Sequence, residues 1–138
     1  VYPTTWPLPK VWLGVSVENQ HWADQRIPIL LDTPAAVHFV SCEPLLGPIK
    51  LRPAWLQSNY ADLSSEPTVT AKSRLSWVIV GAESGPNRRP FDPEWARSAL
   101  RQCREAGVPI WIKQGSAFKS EQQGNLPDDL WGIREFPA

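Results

Sequence analysis

Four short apolar runs, each closed by a polar or small residue, constrain this chain of 138 residues more than any other feature. They read VWLGVSV (Val11–Val17), VHFVS (Val37–Ser41), WVIVG (Trp77–Gly81) and PIWIK (Pro109–Lys113). Their length and β-branched content mark them as strands, and the near-continuous apolar character suits strands covered on both faces. The segments between them are long enough for crossover helices. Asn19 is a fit N-cap for a helix over Gln20–Leu31, which Pro28 is expected to kink or shorten before Asp32-Thr33-Pro34 stops it. A second helix is expected over Pro93–Ala106. Asp92 caps it, Pro93 takes the favoured first position and Gly107 supplies a left-handed C-cap. Trp95, Ala99, Leu100, Cys103 and Ala106 then form its apolar stripe. Between Leu45 and Ser76 lies a proline-punctuated excursion with one short helix near Ala54–Leu63. From Gly115 the tail is irregular and polar until Leu130-Trp131.

The order β-α-β-excursion-β-α-β with buried-type strands points to parallel pairing and right-handed crossovers. The fold class is therefore α/β, with four parallel strands and crossover helices in a single domain over 1–138. The spacing suits part of a (βα) TIM-type barrel, or part of a doubly wound sheet. Neither GxGxxG nor GxxxxGK[ST] is present, so dinucleotide and P-loop sites lack their local signatures.

Composition narrows the functional classes. Fourteen Lys and Arg balance 14 Asp and Glu, which gives no excess positive charge for binding nucleic acid through phosphates. No apolar run approaches the roughly 18 residues of a membrane span. Two cysteines far apart make neither a disulfide framework nor a complete zinc site, so a reducing, cytoplasmic setting is expected. The chain contains no methionine, even at position 1, which fits a fragment of a longer protein.

In parallel α/β folds ligands bind at the carboxyl ends of the strands. Here those ends carry Ser16, Glu18 and Asn19; then Ser41, Cys42 and Glu43; then Glu83, Ser84 and Gly85; and finally Lys113 and Gln114. Glu43, Glu83 and Lys113 are the candidate catalytic groups, with Arg88 and Arg89 in a loop facing the same mouth. Each has a plainer reading as a helix cap or rim ion pair. Cys103 and Cys42 read as core thiols, His38 as structural and His21 as a solvated first-turn residue.

The strings VWLGVSVENQ, VHFVSCEPLLGPI, WVIVGAESGPNRRPFDPEWARSALRQCREAGVP and WIKQ together resemble the carboxyl-terminal half of the phage gp thirty-seven/sixty-eight family. That family is radical-SAM-like and carries a three-cysteine motif. The resemblance runs from Leu8 to Gln114. It implies that Ser16, Glu18, Asn19, Glu43, Pro44, Glu83, Ser84, Gly85, Arg89, Lys113 and Gln114 line the S-adenosylmethionine and substrate side of a barrel mouth. It further implies an iron–sulfur cluster and S-adenosylmethionine for the full-length protein, and no cofactor in this chain. Ala82 stands where the family has glycine, and Gly115-Ser116 replace an aromatic-glycine pair.

Other readings use the same residues differently. Glu43 and Glu83 could serve as the paired carboxylates of a barrel hydrolase, or join Glu18 around Mg²⁺ or Mn²⁺. A barrel fragment could also be a non-catalytic interaction module. Four strands cannot close a barrel, which takes about eight. Two free edges, Val11–Val17 and Pro109–Lys113, are thus expected to meet a missing amino-terminal half-barrel or a second copy.

Overall fold

In the computed structural model, which describes residues 5–57 and 73–138, the four runs become strands β1 (Trp12–Ser16), β2 (Val37–Cys42), β3 (Trp77–Gly81) and β4 (Ile110–Gln114). All pair in parallel and in sequence order, β1-β2-β3-β4. Helix α1 (Gln20–Asp32) joins β1 to β2, and one-turn α2 (Pro53–Leu56) lies in the excursion. Helix α3 (Pro93–Ala106) joins β3 to β4. Of the short helix expected over Ala54–Leu63, the part from 58 onward lies outside the described residues.

Local chemistry accounts for both long helices. The Asn19 side chain accepts from the Trp22 N–H, and the Asp92 side chain accepts from the Glu94 N–H. Gly107 takes φ 70°, the left-handed conformation, and donates to the Arg104 carbonyl while Val108 donates to Cys103. That pair of bonds is a Schellman ending. Pro28 does not shorten α1 as expected. It sits on the solvent side, where water can satisfy the carbonyl one turn back that loses its partner.

Consecutive strand order with right-handed crossovers puts every helix on one side of the sheet. Burial follows that rule. Val17, Val40, Cys42, Val78, Val80, Ile110 and Ile112 are buried with Ala23, Ile27 and Leu30 of α1 and Ala96, Ala99 and Cys103 of α3. Their strand neighbours Phe39, Ser41, Trp77, Ile79, Trp111 and Lys113 are only half-buried on the opposite face. The expectation of strands covered on both faces is thus corrected: among the described residues, helices cover one. The open face is partly sealed by its own aromatic rings. Trp77 contacts Trp12, Phe39, Trp111 and Phe136 at centroid distances of 5.9, 5.9, 6.4 and 5.2 Å. Gly14 makes room for this patch, since a Cβ there would lie 2.4 Å from the Phe39 ring.

The tail corrects a second expectation. Leu126 and Leu130 are buried in the core, and the chain then runs antiparallel along the outer edge of β4. Ile112 donates to the Ile133 carbonyl at 2.8 Å, and Glu135 donates to the Ile110 carbonyl at 3.1 Å. That edge is therefore occupied by the protein's own backbone. Glutamines complete the frame. Gln20 bonds both backbone groups of Lys50, and Gln102 bonds the Ile49 carbonyl and the Leu51 N–H, so the two long helices hold the 49–51 segment between them.

Candidate functional site

Glu43 leaves the end of β2 and Lys113 belongs to β4, with β3 between them. They nevertheless meet: Lys113 Nζ lies 3.0 and 3.3 Å from the two Glu43 carboxylate oxygens. Gly81, at the end of β3, allows it. A Cβ on Gly81 would stand 3.1 Å from the Glu43 carboxyl carbon, so the missing side chain is the space through which the pair closes. Sequence reasoning missed Gly81; a glycine ending an apolar run was the available signal. Both charged side chains stay partly open, 33% for Lys113 and 24% for Glu43. They border a cavity of about 340 Å³ on the open face, walled by Ser41, Trp77, Ile79, Trp111 and Phe136.

Around this pair the remaining strand ends form a rim of separate ion pairs. Glu83 takes both Arg89 Nε at 2.8 Å and Arg89 Nη2 at 3.1 Å, and accepts from the Arg89 backbone N–H as well. The Arg89 side chain and backbone bonds hold the Glu83 carboxyl down to about 2. It is an anion at any ordinary pH and ill-suited to donate a proton. Arg89 is raised in turn, first by its hydrogen bonds to Glu83 and then by the Glu83 charge, with a smaller contribution from Glu18. Glu18 itself pairs with Arg26 at 3.3 Å, and Arg26 also donates to the Ser16 carbonyl.

Other candidates serve the backbone. The Asn19 oxygen is the α1 cap. Gln114 is buried, donating to the Ala82 carbonyl at 2.6 Å and accepting from the Glu121 N–H at 2.8 Å. Ser84 bridges to Ala117, while Gly85, at φ 110°, donates to the Ala117 carbonyl and accepts from Arg88. The loops after β3 and β4 are thereby tied together. His38 is buried with its ring nitrogen 2.6 Å from the Thr33 carbonyl, and His21 is exposed.

Among the described residues no three His, Cys, Asp or Glu are grouped to hold a metal ion. Glu18, Glu43 and Glu83 each face their own cation instead. Both cysteines are free and buried. Burial raises each thiol to about 12, with Cys103 and Glu18 adding to the effect on Cys42. In the unfolded chain the thiols ionise near 9. Above that pH the unfolded state binds fewer protons than the folded one, so stability falls as pH rises from about 9 towards 12. Each thiol contributes a slope of up to about 1.4 kcal/mol per pH unit. Urea midpoints at pH 8 and pH 10 check this: Cys42→Ala combined with Cys103→Ala is expected to flatten the decline. An unchanged slope would contradict the buried-thiol account.

A four-stranded, all-parallel α/β sheet, with the Glu43–Lys113 ion pair on the face opposite its described helices, defines the class of this protein. The chain matches the family described as "Protein of unknown function (DUF5131)" over residues 2–131, and it belongs to that family. No curated protein and no solved structure matches it. No helix among the described residues is long and apolar enough to cross a membrane.

Proposed function

We propose that this chain is the carboxyl-terminal, substrate-side part of a radical-SAM-like (βα)-barrel protein of phage or prophage association, and that it is inactive alone. The observation that carries the reading is the sheet: consecutive strand order, helices on one side, and an opposite face lined by aromatic rings and the Glu43–Lys113 pair. A doubly wound sheet reverses its strand order and covers both faces, whereas a barrel keeps one face for its interior. The resemblance of residues 8–114 to the phage family supplies the radical-SAM assignment.

The residues present do not fit an iron–sulfur cluster. Such a cluster needs clustered thiolates, and this chain offers two buried thiols that stay protonated. Cluster ligands would have to come from the amino-terminal half-barrel, the proposed partner, in a cytoplasmic setting that keeps thiols reduced. That half would join at β1, and closure of a barrel at β4 would require the tail to leave that edge. On the rim, Ser16, Glu18, Ser84, Gly85 and Arg89 would line the S-adenosylmethionine side of the mouth, as the resemblance implies. Asn19 and Gln114 would support the loops behind it.

Anaerobic reconstitution of the chain with iron and sulfide is expected to give no cluster absorbance, and the reading frame upstream of Val1 is expected to encode three closely spaced cysteines. A stoichiometric cluster on this chain, or an upstream frame without those cysteines, would overturn the reading.

A further inference from the structure

The cavity on the open face combines features that select a ligand class. Its polar end is a matched pair of opposite charges with spare capacity. A carboxylate has about four acceptor sites and an ammonium three donors, and the Glu43–Lys113 contact uses only part of either. Its other end is an apolar wall of Trp77, Trp111 and Phe136. Trp111 and Phe136 lie 4.9 Å apart between ring centroids.

This wall is held by bonds that the fold makes elsewhere. Phe136 is 60% exposed, yet its neighbour Glu135 is fixed on all sides. The Glu135 carbonyl accepts from Trp77 Nε1 at 2.7 Å, its N–H donates to Ile110, and its carboxylate accepts from Arg104 and from the Ile110 N–H. The clamp delivers a large apolar ring to the mouth of the cavity and leaves it uncovered. At about 340 Å³ the space falls at the lower end of the range for small-molecule sites, about 300–1,000 Å³.

From this geometry we infer that the cavity binds a free α-amino acid with an aromatic or large apolar side chain. Its ammonium lies on Glu43, its carboxylate on Lys113 and its side chain against Trp77, Trp111 and Phe136. The inference rests on the reading that the open face is the substrate side, and it names the substrate class. A zwitterion satisfies both charges at once. A ligand bearing one charge draws on one member of the pair and weakens its contact with the other, so the pair favours the zwitterion.

The test is calorimetric titration of the full chain with L-phenylalanine, phenethylamine and 3-phenylpropionate. Phenylalanine is expected to bind about tenfold more tightly than either singly charged analogue. In Lys113→Met it should fall to the level of the amine, and in Glu43→Gln to the level of the acid. Should a variant not fold, the three-ligand comparison on the unaltered chain decides alone. Equal affinities for the three compounds, or no binding of phenylalanine, would overturn the inference. Either result leaves the barrel reading to the cluster and upstream-frame tests, which do not involve this cavity.

Discussion

Gly115→Ala is expected to destabilise the protein by about 3 kcal/mol, the upper part of the range for a side chain forced into filled space. The reason is backbone, which cannot rotate away. A Cβ on Gly115 would stand 2.1 Å from the Gln123 carbonyl oxygen and 3.0 Å from the Leu126 nitrogen. To relieve that contact the 121–126 loop must move. With it go the Glu121 bond to Gln114, the Asn125 bonds to Phe91 and Ser116, and the buried Leu126 side chain. Gly14 makes a useful contrast, because its close neighbour is the end of the Phe39 ring, which can turn. Urea denaturation of the two alanine variants measures the difference. A Gly115→Ala loss below about 1 kcal/mol would show that the loop yields freely.

Gln114→Glu is expected to cost a similar amount, about 3 kcal/mol at pH 7, with a pH signature of its own. The glutamine nitrogen donates to the Ala82 carbonyl at 2.6 Å, so a carboxylate oxygen in its place would face another acceptor. Burial and that clash raise the folded pKa of the new acid above its unfolded value of about 4.3. A raised acid binds more protons folded than unfolded, so stability is lost as pH climbs through and above the unfolded value. The gap between variant and parent should therefore narrow between pH 7 and pH 4.5. Denaturation midpoints at both pH values give the answer. Equal stability at pH 7 would mean that the amide is not engaged with the backbone and is available to a ligand.

The parts of the fold written in local chemistry were readable from the chain. Helix α3 starts and stops where Asp92, Pro93 and Gly107 require, because each acts on its own turn. Parallel order followed from short apolar runs separated by helical lengths. Whether the sheet had one covered face or two was not readable. Trp77 and Val78 are both apolar, and their sides are separated only by where the helices pack. The β4 cover escaped for a related reason: Ile133–Glu135 is a short segment whose partner is distant along the chain. The glutamine bonds to segment 49–51 have no periodic signature at all.

The site divides the same way. Strand-end position and the family resemblance brought forward Glu43 and Lys113. Their meeting depends on register across three strands and on the empty Cβ position of Gly81, neither of which the spacing shows. Asn19 was marked twice, as cap and as candidate, and the structure uses its side chain as the cap.

The strip of tail laid along β4 also sets the arithmetic of assembly. A filament built by edge-to-edge addition needs two complementary free edges per subunit, so that each newcomer offers a fresh template. Here one edge is spent within the molecule, and β1 is the edge left unpaired among the described residues. A second copy pairing there through its own β1 would leave each outward β4 edge already covered by its tail. The tail thus removes the Ile110 carbonyl and the Ile112 N–H from the groups an incoming strand could pair with.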